Sequence, residues 1–308
     1  MNKKLSNLTV WVVLSSFVLG SVFMAATWRM NQWPSDTEVY FFDAARKIPT
    51  HTYLSQMHAG FDQERVRWLH GKEIFILAGF VMQYLMNDFE TLRPFVFICI
   101  WATLLSALLI FCILKEYWDE RAALVGYGIF VTSFWPYMYI LFAKHQPLGL
   151  FFFLLAVASL FQAAQPKKAL FYYFCSGLFM CLALFASSVS TLYIPYYGAA
   201  VLFHIRKKSL PEIVRGAGPA LLGFILVFLY INAPNVAANV KEFMEYVRIS
   251  GQYNHFFYNQ RILQQWFPAH TLTTRGGWEW IFKYAFLMMP GLFPMFLASN
   301  VYLICKRF

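Results

Sequence analysis

The sequence predicts an all-α, polytopic membrane protein, and three observations carry that prediction. Hydrophobic residues fill 59% of the 308 positions and charged residues only 13%, where a soluble domain carries about a quarter. Apolar runs suited to a hydrocarbon core of about 30 Å recur along the whole chain. The cations gather between those runs on alternate connecting segments, the pattern of basic loops retained on the cytoplasmic side.

The expected spans are residues 8–28, 95–114, 122–142, 147–161, 169–187, 190–203, 217–233 and 280–305, eight in all. The first follows Lys3 and Lys4 in the manner of a signal sequence. It is longer than the usual apolar core of about 7–15 residues, and Met24 occupies a position where cleavage needs a small residue, so an uncleaved span is expected. The run 74–86 is different. As a helix its 13 residues cover roughly 20 Å, short of the core, and Lys72, Glu73, Asp88 and Glu90 flank it closely. A helix that lies in the interface or re-enters from it is expected there.

Charge counting agrees. If 74–86 does not span, the inner segments hold Lys3, Lys4, Lys115, Arg121, Lys167, Lys168, Arg206, Lys207, Lys208, Arg215, Lys306 and Arg307, twelve cations against four acids. If it did span, ten of the twelve would lie outside, against the rule that short basic loops stay inside. Both termini are therefore expected in the cytoplasm. Two long segments, 29–93 and 234–278, then face outward, with short outer turns at 143–146 and near 188–189. Within the second, residues 236–247 read as a surface helix, followed by an aromatic loop at 253–266. Trp28, Trp33, Trp135, Tyr137, Tyr139, Trp278 and Trp280 collect at outer span ends, as interfacial aromatic belts do. No internal repeat or soluble domain interrupts this single membrane unit.

Several function classes drop out. The net charge of +10 is explained by cytoplasmic loops and anionic lipid; no nucleic-acid partner is expected, because no basic helix carries interleaved stacking aromatics. Cys99, Cys112, Cys175, Cys181 and Cys305 all fall in apolar runs, so neither a disulfide framework nor a Cys-x-x-Cys site is expected. Six of the seven histidines fall in outer segments without close metal-ligand spacing, so no intrinsic zinc site is expected. Phosphate-cradling loops, dinucleotide fingerprints and Gly-x-Ser-x-Gly elbows do not occur.

Water-requiring chemistry would have to sit in the outer segment that follows the first span. It opens Pro34-Ser35-Asp36-Thr37-Glu38-Val39-Tyr40-Phe41-Phe42-Asp43-Ala44-Ala45, three acids within eight residues of a chain that has only 15. A carboxylate there could take a proton from an acceptor hydroxyl, or hold a divalent cation beside a phosphate. A solvated loop with ordinary acids is the alternative. Arg65, Arg67, His70 and Lys72 form a basic run just before the interfacial segment, at the depth a lipid phosphate would occupy. They suit phosphate recognition or headgroup snorkelling equally. Lys144 and His145, on the short outer turn, either reach the same cavity or simply end a span.

The combination of one span, the Pro-x-Asp-x-Glu-x-Tyr opening, Ala44-Ala45-Arg46 and an outer loop ending in a short interfacial helix resembles the start of the GT-C glycosyltransferase superfamily. It is most similar to the branch of protein O-mannosyltransferases and lipid A aminoarabinose transferases. The resemblance extends through Phe89–Phe95, with Arg93 leading into the next helix, the basic turn Leu114–Leu124, and Phe130–Pro136, where the third span ends near a proline. It covers about residues 8–161. It implies transfer of a sugar from a polyprenyl-phosphate donor to an acceptor at the outer face of a bacterial inner membrane, with Asp36 as catalytic carboxylate and Glu38 as the second. Arg65, Arg67, His70, Lys72 and Lys144 would serve the phosphate. The chain departs from the family pattern where Thr37 separates the two acids, where His70-Gly71-Lys72 replaces a His-Pro-Pro-Leu motif, where Lys144-His145-Gln146 stands in place of a further acid past the third span, and in matching no large C-terminal portion.

Lipid-linked donor and membrane lipids are thus the expected partners; no cofactor is assigned, and a divalent cation bridging carboxylate and phosphate is an option that no residue pattern supports. A non-catalytic subunit or divergent relative that scaffolds membrane proteins is the second reading. A transporter is the third. Against it, ionisable residues are nearly absent from the spans, with none in 95–114 or 217–233.

Overall fold

The structure is a computed structural model that describes residues 7–29, 43–48, 71–133, 140, 143–165, 168–206 and 208–238. The described residues are helical and include no strand. In chain order they form α1 (Asn7–Arg29), a short turn of helix at 43–47, α2 (Glu73–Met86), α3 (Arg93–Tyr117), α4 (Glu120–Thr132), α5 (Gln146–Gln162), α6 (Ala169–Ala186), a 3-10 segment Ser188–Tyr193, α7 (Ile194–Ile205) and α8 (Leu210–Ala238).

Local chemistry accounts for where these helices start. Asp119 is extended and its carboxylate accepts from the Ala122 N–H at 2.7 Å, an N-cap for α4. Pro94, Pro147 and Pro195 occupy the first turns of α3, α5 and α7, where a missing N–H costs nothing. Ahead of α3, Asp88 accepts from the Thr91 N–H at 3.0 Å and from the Thr91 hydroxyl, which fixes the turn out of α2. Burial works against ionisation of Asp88, but these hydrogen bonds outweigh it and hold its carboxyl below the usual range. Before α8, the Glu212 carboxylate accepts from both the N–H and the hydroxyl of Ser209, at 2.8 and 2.7 Å, a capping-box arrangement.

Packing centres on α6, which lies against α5 on one side and α8 on the other. The α6–α8 approach is backbone to backbone: a Cβ built on Gly177 would stand 1.8 Å from the Ala220 carbonyl oxygen, and one on Gly223 2.2 Å from that of Phe174. Small residues at helix crossings are how apolar helices associate when no hydrophobic drive separates them from lipid. The largest buried cluster joins α2, α3, α5 and α6 through Phe75, Phe95, Ile100, Leu148 and Phe185. A second is built around α1, α3 and α4, where the Ser16 hydroxyl meets the Tyr127 hydroxyl at 2.6 Å.

Among the described residues three helices are long and apolar enough to cross a membrane: Arg93–Tyr117, Ala169–Ala186 and Leu210–Ile231. This is compatible with an integral membrane protein. The outer faces agree with it, since Leu221, Leu222, Leu226 and Tyr230 of α8 are all exposed. The other expected spans take different forms. Residues 122–142 begin as the 13-residue α4, which stops at an extended Ser133, three residues ahead of Pro136. Residues 190–203 open as 3-10 helix and continue as the 12-residue α7. The expected span 280–305, the surface helix at 236–247 beyond Ala238, and the aromatic loop lie outside the described residues.

The segment expected to lie in the interface is helical, as α2. The charges at its start are not held out at water, however: Lys72 is 6% exposed and Glu73 2%, while Asp88 is half-buried and Glu90 exposed beyond its end. The helix starts inside the protein, with Ile74, Phe75 and Ile76 buried immediately after them.

Candidate functional site

Gly71 turns the chain into α2 with φ 70°, a left-handed conformation that suits glycine. Lys72 follows as the residue ahead of the helix, its carbonyl accepting from the Ile76 N–H at 3.0 Å, and Glu73 adds an acid to the first turn, where the helix dipole favours one. Both side chains are nearly closed off from solvent.

A second turn meets this one from α5. Ala143 adopts φ 47°, unusual for a residue with a Cβ, and its N–H donates to the Ile140 carbonyl at 3.1 Å. The turn is pinned from α3 by the Cys99 thiol, which donates to the Lys144 carbonyl at 3.0 Å. His145 then closes the approach to α5, its carbonyl accepting from the Gly149 N–H at 3.3 Å. Its ring is 6% exposed, lies edge-on to Phe75 at 6.3 Å, and hydrogen-bonds through Nδ1 to the Ser187 hydroxyl at 2.8 Å. Ser187 ends α6. One imidazole therefore ties together the ends of α2, α5 and α6.

Electrostatics single out the same ring. Burial, then the Lys72 ammonium, then that of Lys144 push the His145 pKa well below the ordinary histidine value. His145 is thus a neutral imidazole beside two cations, with one nitrogen engaged by Ser187. Neighbouring polar atoms add to the local demand: Gln146 Oε1 and the Ser190 hydroxyl are buried without hydrogen-bond partners. Leaving such an atom unsatisfied costs about 1–3 kcal/mol. Glu73 places a carboxylate in the first turn of α2, its Oε2 buried without a hydrogen-bond partner, so the site holds charges of both signs.

A histidine kept neutral by its fold imposes a pH dependence. Its folded pKa lies below its unfolded value of about 6.5, so its contribution to stability is complete above that value and is lost as the pH falls below it. Thermal melts of the purified protein in detergent are expected to fall between about pH 6.5 and 5. His145→Asn should remove that part of the fall, the difference isolating this ring from the other histidines. Parallel pH profiles for the two proteins would contradict the assignment.

Of the residues the sequence points to, Lys72 and Lys144 are described, and the charge of each lowers the His145 pKa. Asp36, Glu38, Arg65, Arg67 and His70 lie outside the described residues. What immediately follows the acidic opening is described: Ala44 and Ala45 are fully buried in the same cluster as Phe75, Ala143, Leu148 and Ala186, and Arg46 donates to the Phe89 carbonyl. Sequence reasoning missed the holding roles of Ser187 and Cys99. Their signal was indirect: the end of one apolar run and an isolated thiol within another. Among the described residues no group of three His, Cys, Asp or Glu side chains could hold a metal ion.

Comparison with family models, curated proteins and solved structures gives no match.

Proposed function

We propose that the chain is an integral inner-membrane protein of eight spans with both termini cytoplasmic, and that it is a GT-C-like glycosyltransferase using a polyprenyl-phosphate sugar at the outer face. The observation that carries this reading is the meeting of the turn that starts α2, led by Lys72, with the turn that starts α5, led by Lys144, where His145 lies edge-on to Phe75. The two lysines were assigned to phosphate recognition from separate segments of the sequence, and both charges bear on the buried His145. In the proposed topology this node lies at the outer ends of α2, α5 and α6.

The chemistry is transfer of the sugar from a phosphate oxygen to a hydroxyl oxygen. An acceptor hydroxyl attacks the anomeric carbon, the bond from that carbon to the phosphate oxygen breaks, and the polyprenyl phosphate leaves with the electron pair. The Asp36 carboxylate takes the hydroxyl proton and Glu38 orients the acceptor. Lys72 and Lys144 stabilise the charge that grows on the departing phosphate, in a site dry enough for such contacts to count. Chain length permits the meeting. Glu38 is six residues before the anchored Ala44, and an extended chain of that length reaches at most roughly 20 Å.

The test is reconstitution of the full chain with a polyprenyl-phosphate sugar and an acceptor, comparing wild type with Asp36→Asn at equal expression. A positioned general base contributes about 10²–10⁴-fold; a loss of that size is expected. Unchanged transfer by the variant overturns the assignment.

A further inference from the structure

At the opposite end of α6 from Ser187 lies a second polar group that the proposed chemistry does not use. Tyr173, one turn into α6 and 9% exposed, has its hydroxyl 2.9 Å from His204 Nε2, in the last turn of α7. Lys208, in the α7–α8 connection, donates to the Tyr173 hydroxyl and lies 2.6 Å from the same His204 nitrogen. Its ammonium also stands 5.1 Å from the centre of the Tyr173 ring. The fourteen residues from Tyr173 to Ser187 correspond to about 21 Å of helix, so the two polar groups sit at opposite depths of the bundle.

Lys208 forms no ion pair with a carboxylate among the described residues. Glu212, the acid that feels its charge, is engaged by Ser209. An ammonium has three N–H donors, and the two neutral acceptors here use two of them. A third donor and a full positive charge remain for a ligand.

Tyr173 is also part of the wall of a cavity of about 440 Å³ between α5, α6, α7 and α8. Its other walls are apolar, among them Leu160, Met180, Leu184, Val201 and Phe224. The one further hydroxyl, on Tyr197, is turned to Ser176 at 2.6 Å, and Ser176 in turn donates to the Ala156 carbonyl. The cavity follows α6 from Tyr173 to Leu184, about 16 Å of helix. It is a long apolar slot, and Lys208, which does not line it, stands against the Tyr173 hydroxyl at one end.

We propose that this slot binds an anionic phospholipid, one acyl chain lying along α6 between α7 and α8 and the phosphate accepting from Lys208 and the Tyr173 hydroxyl. Charge complementarity selects this occupant over a neutral apolar molecule, and the length of the slot selects it over free phosphate. The inference rests on α6 and α8 crossing a bilayer; it is independent of glycosyl transfer at the other end.

Native mass spectrometry of the full chain in detergent, titrated separately with phosphatidylglycerol, phosphatidylcholine and inorganic phosphate, tests it. Phosphatidylglycerol is expected to bind at least about tenfold more tightly than phosphatidylcholine, a difference of about 1.4 kcal/mol. Lys208→Met should erase the preference, and Val201→Trp, which fills the slot, should abolish retention of either lipid. Tyr173→Phe, which removes one hydroxyl and keeps the ring, serves if Lys208→Met does not fold, and should lower the preference. Equal binding of the two lipids by the wild type overturns the proposal. So does phosphate binding that Val201→Trp leaves intact, since the site would then recognise only the head. Failure of the chain to enter lipid nanodiscs would instead indict the membrane reading.

Discussion

Replacing Gly177 by alanine is expected to lower the melting temperature of the purified protein by about 5 °C or more, the result of a clash costing at least about 3 kcal/mol. The reason is what the new methyl would meet. It would stand 1.8 Å from the Ala220 carbonyl oxygen, 2.6 Å from its carbon and 3.0 Å from its Cα, all backbone of α8. No side chain can rotate away, so α6 and α8 must move apart along the interface that Gly223 shares from the other side. A control sits on α8 itself. A Cβ on Gly218 meets nothing within 4 Å, so Gly218→Ala adds no clash and removes backbone freedom from the unfolded chain, for a gain of about 0.5–1 kcal/mol. Opposite signs for two identical chemical changes would be hard to produce by any cause other than helix proximity. A Gly177→Ala protein melting with the wild type would mean that α6 and α8 do not touch as described.

That pair also marks what the sequence makes legible. Apolar runs gave α1, α3, α5 and α6 to within three residues at either end, because hydrophobicity over twenty residues leaves few alternatives to a helix. α8 starts at Leu210, seven residues before its apolar run, because the Ser209–Glu212 box nucleates it in polar sequence that a hydropathy reading passes over. α4 stops at Ser133, ahead of Pro136, inside a run that hydropathy alone reads as continuous, and α7 is entered through a 3-10 segment that hydropathy does not distinguish. At the site, Lys72 and Lys144 were visible as cations flanking apolar runs. The burial of Lys72 was not, since a charge beside a run reads equally well as a water anchor. Nor could sequence pair His145 with Ser187, or Cys99 with the Lys144 carbonyl, because those contacts span more than forty residues and are made by the packing of α3, α5 and α6.

Lys72→Met separates a phosphate-binding role from a structural one, because the two make different demands on the same residue. Methionine keeps much of the apolar stem and removes the charge. If Lys72 holds the donor phosphate, donor binding and transfer should fall by about 10²–10³-fold, the effect of removing one partner of a desolvated charge pair. The loss should appear in the affinity for the polyprenyl-phosphate sugar as well as in turnover, and should not depend on the acceptor. The same substitution changes His145. With one of its two cationic neighbours gone, the imidazole pKa rises toward its unfolded value, so the gap that drives acid destabilisation narrows. The melting temperature of Lys72→Met should therefore decline less than that of the wild type between about pH 6.5 and 5. A lysine that only anchors the start of α2 would leave donor affinity within about twofold of wild type while shifting the melt at every pH. That outcome, with the pH profile unchanged, would separate Lys72 from both His145 and the phosphate.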